Sequence, residues 1–421
     1  MTAIRIHHMT RVEGHGDLVA EFREGHLERV HFSVVEAPRF FEAFLRGRSY
    51  DEVVHIAPRI CGICAVSHKC AALKATEAAF EVNLSGQTEL LRRLAFHGEV
   101  LGSHILHIYF LAGPDFFRVP SLLHLAEAKL DTVRRAMRLK KLANDLAAVV
   151  AGRHIHPVGM TVGGFRFVPR EAELAAIGNR LRESFQDLRE TVRLFQNLDI
   201  PDFERETEYV SLKHPDRYAF YEGQIHSSEG DTVETSRYRE VIHEYDVSHS
   251  NARYARWNLP EYMTGALARV NNNHRQLSPL ARDAANDLGM KTPCHNPFKN
   301  TLCQIVECVH CVEDSLDGIG KLLKQGLQTE AEPPPVRPRQ GRGVGAVEAP
   351  RGTLFHEYGY DIKGKCREAN LVIPTAQNLA NLEADLRAYA ADMEVKGEAE
   401  LRTALEMMVR AYDPCISCAT H

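Results

Sequence analysis

Two Cys-x-x-Cys pairs stand near opposite ends of the chain. Cys61 and Cys64 lie in the stretch RICGICAVSHKC, and Cys415 and Cys418 lie in DPCISCATH. On one helical turn the two sulfurs of such a pair share a face and can chelate, and His68 would continue the face of the first pair. A helix N-terminus lowers the pKa of a cysteine thiol and so favours the thiolate that binds metals. We therefore predict that the fold joins both pairs in one four-thiolate metal site.

The spacing of the cysteines leaves the metal and its role open. Soft thiolate ligands suit zinc, nickel, copper(I) and iron. A structural zinc site built from four cysteines usually draws both pairs from one compact unit, roughly 15–20 residues apart. A redox dithiol of the thioredoxin type needs one pair in a βαβ context, which the sequence around either pair lacks. A purely structural zinc protein is therefore retained as an alternative to a redox metal site.

The composition is that of an ordinary globular protein of 421 residues, 44% hydrophobic and 25% charged. A formal net charge of -5 gives no electrostatic basis for binding nucleic acid. No stretch approaches the roughly 18 consecutive apolar residues of a membrane span, and the N-terminus lacks a secretory signal pattern. The ten cysteines are then expected as thiols or metal ligands. We expect a cytoplasmic protein without a membrane span.

Hydrophobic periodicity predicts a mainly α protein of the α+β class, with a bundle of long helices as its core and small peripheral β elements. Strands are expected over 3–8, 17–23 and 28–35, with a turn at 24–25. The main helices are expected over 87–111, 120–150, 169–198, 277–288, 302–327, 377–395 and 398–411. A single domain, 1–421, is expected to comprise an N-terminal β and short-helix region (1–57), a long-helix core (58–200), a mixed region with helices (201–327), a proline-rich surface linker (328–343) and a β region with C-terminal helices (344–421).

Three further cysteines, Cys303, Cys308 and Cys311, fall in the helix expected over 302–327. Cys308 and Cys311 are three residues apart and could chelate a second metal. Buried cysteines more often pack as small hydrophobic residues. The sequence favours the packing role for these three.

The residues around both cysteine pairs resemble the large subunit of NiFe hydrogenases. RxCGxCxxxH near the start and DPCxxCxxH at the end are joined, in order, by the blocks TRVEGHG (10–16), EAPRFFEAFLRGR (36–48), SHILHIYFLAGPD (103–115), HPVGMTVGGF (156–165), EAPRG (348–352) and IPT (373–375). These variants look most like the cytoplasmic multi-subunit branch, linked to heterodisulfide reductase or to nicotinamide reduction. The resemblance implies a catalytic subunit that reversibly cleaves dihydrogen heterolytically and passes electrons to an iron–sulfur small subunit.

This resemblance implies a nickel–iron centre whose iron carries carbon monoxide and two cyanide ligands. Cys61 and Cys415 correspond to the terminal nickel ligands of the family. Cys64 and Cys418 correspond to the cysteines that bridge nickel and iron. A terminal thiolate such as that of Cys415 is a credible first base for the proton.

The resemblance also assigns roles to five side chains around the metals. Glu13 corresponds to the carboxylate that takes the proton onward. His68 corresponds to the histidine that hydrogen-bonds a bridging sulfur. Arg351 corresponds to the guanidinium above the metals, and Asp115 and Asp413 to the acids that hold it in place.

Two further groups of residues follow from the same resemblance. Pro374 and Thr375 correspond to the pair beside the cyanides, where a backbone N–H and a hydroxyl donate hydrogen bonds. Glu42, the backbone carbonyl of Leu371 and the terminal His421 correspond to the ligands of a magnesium (or iron) ion near the C-terminus. Magnesium prefers oxygen, so an imidazole ligand would suit iron better.

The family also implies partners, since electrons must leave a buried site. We expect an iron–sulfur small subunit and further electron-transfer subunits of the flavin and iron–sulfur, heterodisulfide reductase or diaphorase type. Two alternatives share the fold. A hydrogen-sensing regulatory subunit would carry the same site, whereas the quinone-binding relative in respiratory complex I has lost the metal cysteines. All four cysteines are present here, which disfavours the latter.

Overall fold

The computed structural model describes residues 2–23, 26–328, 335–393 and 397–421. Three sequence predictions fall partly or wholly outside these residues. They are the turn at 24–25, part of the proline-rich segment within 328–343, and the last two residues of the helix expected over 377–395.

Long helices form the core, which confirms the predicted fold class. The helices are α1 Phe41–Leu45, α2 Tyr50–Ile56, α3 Ala65–Phe80, α4 Gly86–Leu106, α5 Gly113–Phe116, α6 Ala126–Ala151, α7 Glu171–Gln196, α8 Ala266–Asn273, α9 Pro279–Asp287, α10 Asn300–Gln325, α11 Pro374–Met393, α12 Glu398–Ala411 and α13 Ile416–Ala419. Helix α4 packs against α3, α6 and α10, and α7 packs against α6 and α10. Among the described residues, none of these helices is both long and apolar enough to cross a membrane.

The strands form small sheets around this helical core. They are β1 Thr2–Ile6, β2 Gly16–Arg23, β3 His26–Val34, β4 Met160–Thr161, β5 Gly164–Phe165, β6 Glu208–Lys213, β7 Gln224–Ser227, β8 Thr232–Val233, β9 His243–Tyr245, β10 Tyr254–Arg256, β11 Tyr262–Met263, β12 Gly341–Ala349, β13 Gly352–Tyr360 and β14 Cys366–Val372. Strands β1, β2 and β3 form one antiparallel sheet, and β12, β13 and β14 form another. The three predicted N-terminal strands are therefore present, each shifted by one or two residues.

Glycines bring strand β12 unusually close to helix α3. A Cβ at Gly343 or Gly345 would lie 2.1 Å from the carbonyl oxygen of Ala75 or Ala71, respectively. Only residues without a Cβ can occupy these positions, because the helix backbone fills the space. The hairpin of β12 and β13 therefore lies directly on α3, and the turn at its end reaches the start of that helix.

Two helix boundaries differ from the sequence prediction by five residues or more. The helix predicted over 87–111 ends at Leu106, is followed by a π-turn at His107–Leu111, and Pro114 then stands in the first turn of α5. Proline is accepted at this position because the first helical N–H groups have no intrahelical partner. Helix α6 begins at Ala126, later than the predicted residue 120, after a 3₁₀ turn at Leu122–Leu125.

Candidate metal centre

The four cysteines of the two pairs meet in the interior of the protein. The sulfurs of Cys61 and Cys415 are 3.5 Å apart, and those of Cys64 and Cys418 are 3.3 Å apart. All four sulfurs lie within 4.8 Å of one another, and all four side chains are buried. Each of these cysteines is a free thiol. The fold therefore joins the two pairs, although most of the sequence separates them.

The first pair does not lie on a helix, contrary to the sequence prediction. Cys61 has extended backbone (φ −147°, ψ 146°), and α3 begins only after Cys64. The backbone N–H groups of Ile63 and Cys64 donate to Sγ of Cys61 at 3.3 and 3.5 Å. A helix start leaves such N–H groups without intrahelical acceptors, and here the sulfur accepts them. The predicted common helical face is therefore wrong, and only His68 lies on α3.

The four thiols differ in their affinity for protons. Hydrogen bonds from the thiols of Cys415, Cys418 and Cys64 hold the pKa of Cys61 well below its ordinary value. Burial raises the pKa of Cys415 and of Cys418 well above the ordinary value. One thiolate is thus stable in this pocket, whereas further thiolates need a positive charge among the sulfurs. A soft metal ion supplies that charge, so the donor set fits one.

Backbone bonds hold the N-terminal loop against the second pair. Glu13 and Cys415 form a parallel bridge, and the N–H of Ile416 donates to the carbonyl of Glu13 at 2.9 Å. The next residue, Gly14, has φ +84°, and a Cβ there would lie 2.8 Å from the Cβ of Ile416. Glycine is required here because both the backbone conformation and the close approach exclude a side chain.

The carboxylate of Glu13 faces the C-terminal pair. Its Oε2 accepts the N–H of Ser417 at 3.1 Å, and its Oε1 accepts the hydroxyl of Ser417. Ser417 lies between Cys415 and Cys418 in the chain, and the side chain of Glu13 is only half-buried. The carboxylate thus stands between the buried sulfurs and the more exposed N-terminal loop.

Arg39 joins the segments that carry the two pairs, and sequence reasoning missed it. Its Nη2 donates to the carbonyl of Ile60 at 2.7 Å and to the carbonyl of Ser417. Its backbone N–H donates to the carbonyl of Thr420 at 2.7 Å. A guanidinium can bind two carbonyls at once because its donors form a rigid fork. The signal in the sequence was its position inside the matched block EAPRFFEAFLRGR.

Arg351 lies in the two-residue turn between β12 and β13 and is almost completely buried. Its Nε and Nη2 donate to Oδ1 of Asp413 at 3.1 and 2.9 Å, and Nε also donates to the carbonyl of Asp413 at 2.8 Å. Its third nitrogen, Nη1, is buried and has no hydrogen-bond partner. A buried guanidinium nitrogen without an acceptor is costly, so this donor indicates a ligand position beside the sulfurs.

Asp115 does not hold Arg351, and the prediction of that contact was wrong. The carboxylate of Asp115 binds Arg11 at 2.5 Å and Arg410 at 2.6 and 3.0 Å. These two guanidinium groups occupy both of its oxygens. Asp115 therefore acts on the segment that precedes Asp413, through Arg410, and Asp413 alone of the two predicted acids contacts the arginine above the sulfurs.

A small cavity adjoins three of the four cysteines. Its lining consists of Cys64, His68, Ala349, Arg351, Leu354, Ile373, Pro374, Thr375, Cys415 and Cys418. The Oγ1 of Thr375 accepts the N–H of Cys415 at 2.9 Å, which leaves its hydroxyl proton available to another acceptor. Its own N–H lies in the first turn of α11 and has no intrahelical acceptor. The cavity therefore combines apolar walls with a few donors, a lining that suits small ligands with acceptor ends.

His68 is placed by a second histidine that the sequence did not reveal. Its Nδ1 lies 3.0 Å from Nε2 of His356, whose Nδ1 lies 2.6 Å from the hydroxyl of Tyr358. Burial lowers the pKa of His68 to about 4, so the ring is neutral at pH 7. Its Nε2 is left as the nitrogen available to a sulfur, and the predicted contact with a bridging cysteine stays a prediction.

Glu42, Leu371 and His421 also lie together, at the C-terminus. Oε1 of Glu42 accepts the N–H of Leu371 at 2.8 Å and lies 3.8 Å from Nε2 of His421. In an antiparallel edge strand the N–H and carbonyl of one residue point to the same side, so the Leu371 carbonyl faces Glu42 too. Nδ1 of His421 is buried without a partner. Burial raises the pKa of Glu42, but the hydrogen bond and charge of His421 outweigh it and lower that pKa below its ordinary value. These three groups can offer one cation two oxygen ligands and one nitrogen ligand.

The other cysteines are part of the hydrophobic core. Cys303, Cys308 and Cys311 are buried among apolar side chains, and burial raises the pKa of each well above its ordinary value. These thiols remain protonated, which agrees with the packing role that the sequence favoured.

A second group of possible ligands consists of His31, His249 and Glu383. Oε1 of Glu383 already accepts the N–H of Phe32 at 3.0 Å, His249 at 2.8 Å and the hydroxyl of Tyr254 at 2.8 Å. Three donors use the hydrogen-bonding capacity of this oxygen fully. The group is therefore explained as a hydrogen-bonded contact between β3 and α11.

Comparison with known proteins agrees with the geometry of the cysteine site. A family model described as nickel-dependent hydrogenase matches residues 39–136 and 205–421. The chain belongs to the nickel-dependent hydrogenase family. Sulfhydrogenase 1 subunit alpha of Pyrococcus furiosus is 33% identical to this hydrogenase chain over 99% of it and 97% of the relative. The NAD-reducing hydrogenase HoxS subunit beta of Cupriavidus necator is 28% identical over 98% of this chain and 93% of the relative.

A solved structure gives the same result for the fold. An NAD+-reducing NiFe hydrogenase in its hydrogen-reduced state matches this hydrogenase chain with a TM-score of 0.90 at 28% identity, and 100% of each chain is covered. The predicted family, fold class and enzymatic activity are confirmed. The chain is a hydrogenase catalytic subunit, an oxidoreductase acting on dihydrogen. These relatives give no support to the regulatory alternative.

Proposed function

We propose that the four buried cysteines hold a nickel–iron centre whose iron carries carbon monoxide and two cyanide ligands. Cys61 and Cys415 would be the terminal nickel ligands, and Cys64 and Cys418 the bridges to iron. Such a centre supplies a soft, electron-rich site at which dihydrogen is cleaved. The convergence of four sulfurs from both ends of the chain is the observation that carries this proposal.

The cavity beside these sulfurs would hold the diatomic ligands. The Thr375 hydroxyl and the N–H groups at the start of α11, which begins at Pro374, are donors without other acceptors, as is Nη1 of Arg351. Cyanide accepts hydrogen bonds at its nitrogen, whereas carbon monoxide is better placed against apolar side chains. Leu354 and Ile373 provide such side chains in the same cavity. His68 would support a bridging sulfur through Nε2.

We infer that Glu13 is the first carboxylate to receive a proton from the site. Its oxygens already contact the backbone N–H and hydroxyl of Ser417, between the two C-terminal cysteines. A carboxylate that contacts the residue between the two C-terminal cysteines and also faces less buried parts of the chain can accept a proton and pass it on. Cys415 would be the base that hands the proton to it.

We also propose a second cation, magnesium or iron, bound by three ligand groups near the C-terminus. Glu42 supplies a carboxylate, Leu371 a carbonyl and His421 an imidazole. Glu42 and His421 line a cavity of about 360 Å³ together with Asp246 and Arg253, which leaves room for water as further ligands. The cation would attach the terminal residue to α1 and β14, and so fix the segment that follows Cys418.

The chain should work with partners that carry electrons away. We propose an iron–sulfur small subunit and further electron-transfer subunits of the flavin and iron–sulfur, heterodisulfide reductase or diaphorase type, since both curated relatives compared above are named as subunits. A cytoplasmic location is proposed because none of the ten cysteines forms a disulfide, as is usual in a reducing compartment.

Infrared spectroscopy combined with elemental analysis tests the metal assignment. The purified hydrogenase should contain nickel and iron, and its spectrum should show one carbonyl and two cyanide stretches. Zinc without nickel, or a spectrum without these bands, would show that the four thiolates hold a different group. Magnesium in the same analysis would report separately on the C-terminal site, whereas additional iron would not, because the proposed iron–sulfur partners also contribute iron.

The proton route is tested by Glu13→Gln. Glutamine keeps the shape of the side chain but cannot carry a proton, so isotope exchange between dihydrogen and water should slow by about 10²-fold or more, the typical contribution of a general acid–base group. Nickel content should be unchanged. Glu28→Gln, an exposed change in β3, serves as the control that removes the same charge. Full exchange activity in Glu13→Gln would refute the route.

A further inference from the structure

Asp413, which pairs with Arg351, has backbone that needs support. Its φ is +50°, in the left-handed region that residues other than glycine adopt uncommonly, although aspartate does so more often than most. Its side chain is buried, and Oδ1 is already occupied by Arg351. The position of Arg351 above the sulfurs therefore depends on whatever fixes the second oxygen and the backbone of Asp413.

Helix α10 provides that support through two residues one turn apart. Nδ2 of Asn300 donates to the carbonyl of Ala411 at 2.9 Å, and Nε2 of Gln304 donates to Oδ2 of Asp413 at 3.0 Å. Both side chains are buried. Their spacing of four residues puts them on one face of the helix. This face contacts the chain just before the second cysteine pair.

A histidine lies against both the amide of Gln304 and the chain just before Asp413. Nδ1 of His107 lies 2.5 Å from Oε1 of Gln304, and Nε2 of His107 lies 2.6 Å from the carbonyl of Arg410. Oδ2 of Asp413 is a carboxylate oxygen that only accepts, so Gln304 presents its NH₂ group to Asp413 and its oxygen to the ring of His107. His107 is the first residue of the π-turn after α4, and such insertions commonly mark functional positions because they redirect a side chain.

We propose that Gln304 and His107 are positioning residues of the hydrogenase reaction. His107 lies against the amide oxygen of Gln304 and the carbonyl of Arg410, Gln304 holds Asp413, and Asp413 holds Arg351 with Nη1 free for the proposed metal ligands. Neither residue lines the cavity beside the sulfurs. They act through Asp413, and the inference rests on the proposed position of the diatomic ligands next to Arg351.

The test uses the purified, nickel-loaded hydrogenase and the variant Gln304→Met. Methionine has a similar length and fills the same space, but it removes the donor to Asp413 and the acceptor for His107. We expect kcat for dihydrogen-dependent dye reduction to fall by about tenfold, which corresponds to one hydrogen bond to a charged group. KM for dihydrogen should stay close to wild type. The cyanide stretches should shift, because they report the donor at Arg351 directly.

A second variant and a control separate positioning from packing. Gln304→Glu keeps the acceptor for His107 and the shape, but puts an oxygen opposite Oδ2 of Asp413, so it should shift the same bands and lower kcat. Cys308→Ala, one turn further along α10 and also buried, should leave the bands and kcat unchanged. Wild-type bands and wild-type kcat in either Gln304 variant would overturn the proposal.

The role of His107 is tested by a double-mutant cycle. His107→Phe should lower kcat less than Gln304→Met, and the double variant should be no worse than Gln304→Met alone, because His107 acts through Gln304. If the losses of kcat in the two single variants add up in the double variant, His107 does not act through Gln304. Loss of nickel from both Gln304 variants while Cys308→Ala stays fully loaded would also overturn the proposal, because it would place Gln304 in assembly of the site. A wild-type protein without carbonyl and cyanide bands would refute the proposed metal group instead. In that case, kcat of the Gln304 variants relative to wild type would test the positioning role of Gln304.

Discussion

A buried ion pair behind the turn that carries Arg351 gives a sharp prediction for stability. Arg269 donates to both oxygens of Glu307 at 2.6 and 2.7 Å, and both side chains are fully buried. The same guanidinium donates to the carbonyls of Ala349 and Pro350 at 2.9 Å each. Arg269 thus anchors the hairpin turn, and Glu307 compensates its charge. We predict that Glu307→Gln destabilises the protein strongly.

The magnitude follows from the pKa of Glu307. Burial raises that pKa, but the charge and hydrogen bonds of Arg269 and the hydrogen bond of His104 lower it from 4.5 to about 2. At 1.36 kcal/mol per pKa unit, the ionised carboxylate contributes about 3 kcal/mol to stability. Loss of one partner of a buried pair costs about 3–5 kcal/mol, which agrees. In Glu307→Gln, the amide NH₂ group would also face hydrogen-bond donors whose bonds a carboxylate oxygen of Glu307 now accepts.

The dependence on pH provides the decisive measurement. Because the pKa of Glu307 is lower in the folded protein, its contribution is complete above 4.5 and is lost as the pH falls toward 2. The free energies of unfolding in urea of wild type and Glu307→Gln should therefore differ by a constant amount from pH 6 to 8. This difference should become smaller below pH 4.5. Glu183→Gln, an exposed change on α7, should match wild type throughout. A difference below about 1 kcal/mol at pH 7 would contradict the assigned ion pair, and so would a difference that widens in acid.

Two further substitutions probe the second cysteine pair. Cys415→Ser should abolish dihydrogen-dependent dye reduction, because a hydroxyl does not replace a thiolate on a soft metal; measurable reduction by the purified variant would contradict a ligand role. Gly14→Ala should lower stability by about 1–3 kcal/mol, because alanine at φ +84° is strained and its Cβ would lie 2.8 Å from Cβ of Ile416. A lower midpoint of thermal unfolding checks this, and an unchanged midpoint would show that the loop moves freely away from the C-terminus.

The sequence allowed the long helices and the convergence of the cysteines to be predicted, because each leaves a periodic or paired signal. Helix α7 buries Leu174, Leu181 and Leu188, seven residues apart, and such spacing is visible without coordinates. The extended conformation of Cys61 could not be predicted from the sequence. Its sulfur accepts hydrogen bonds from N–H groups that would bond to backbone carbonyls if the helix continued through this residue. Spacing of three residues is compatible with both arrangements, so pattern alone could not separate them.

Contacts between distant segments were the other limit. Arg39, Gln304 and His107 each bind a backbone carbonyl or a side chain more than twenty residues away in sequence, and no local pattern reports such a partner. Asp115 shows the same limit within a matched motif. Two arginines, Arg11 and Arg410, bind its oxygens, and these contacts exist only in three dimensions.

Arg351 differs from two other buried arginines, Arg269 and Arg410, in that one of its donors stays free. Arg269 is matched by Glu307 and Glu348, and Arg410 by Asp115. Arg351 has Asp413, which occupies two of its three nitrogens and leaves Nη1 without an acceptor. An unsatisfied buried donor lowers stability unless a ligand accepts from it. The free donor therefore suits a ligand beside the sulfurs, and binding of the proposed metal group should raise the stability of the hairpin turn along with that of the cysteine pairs.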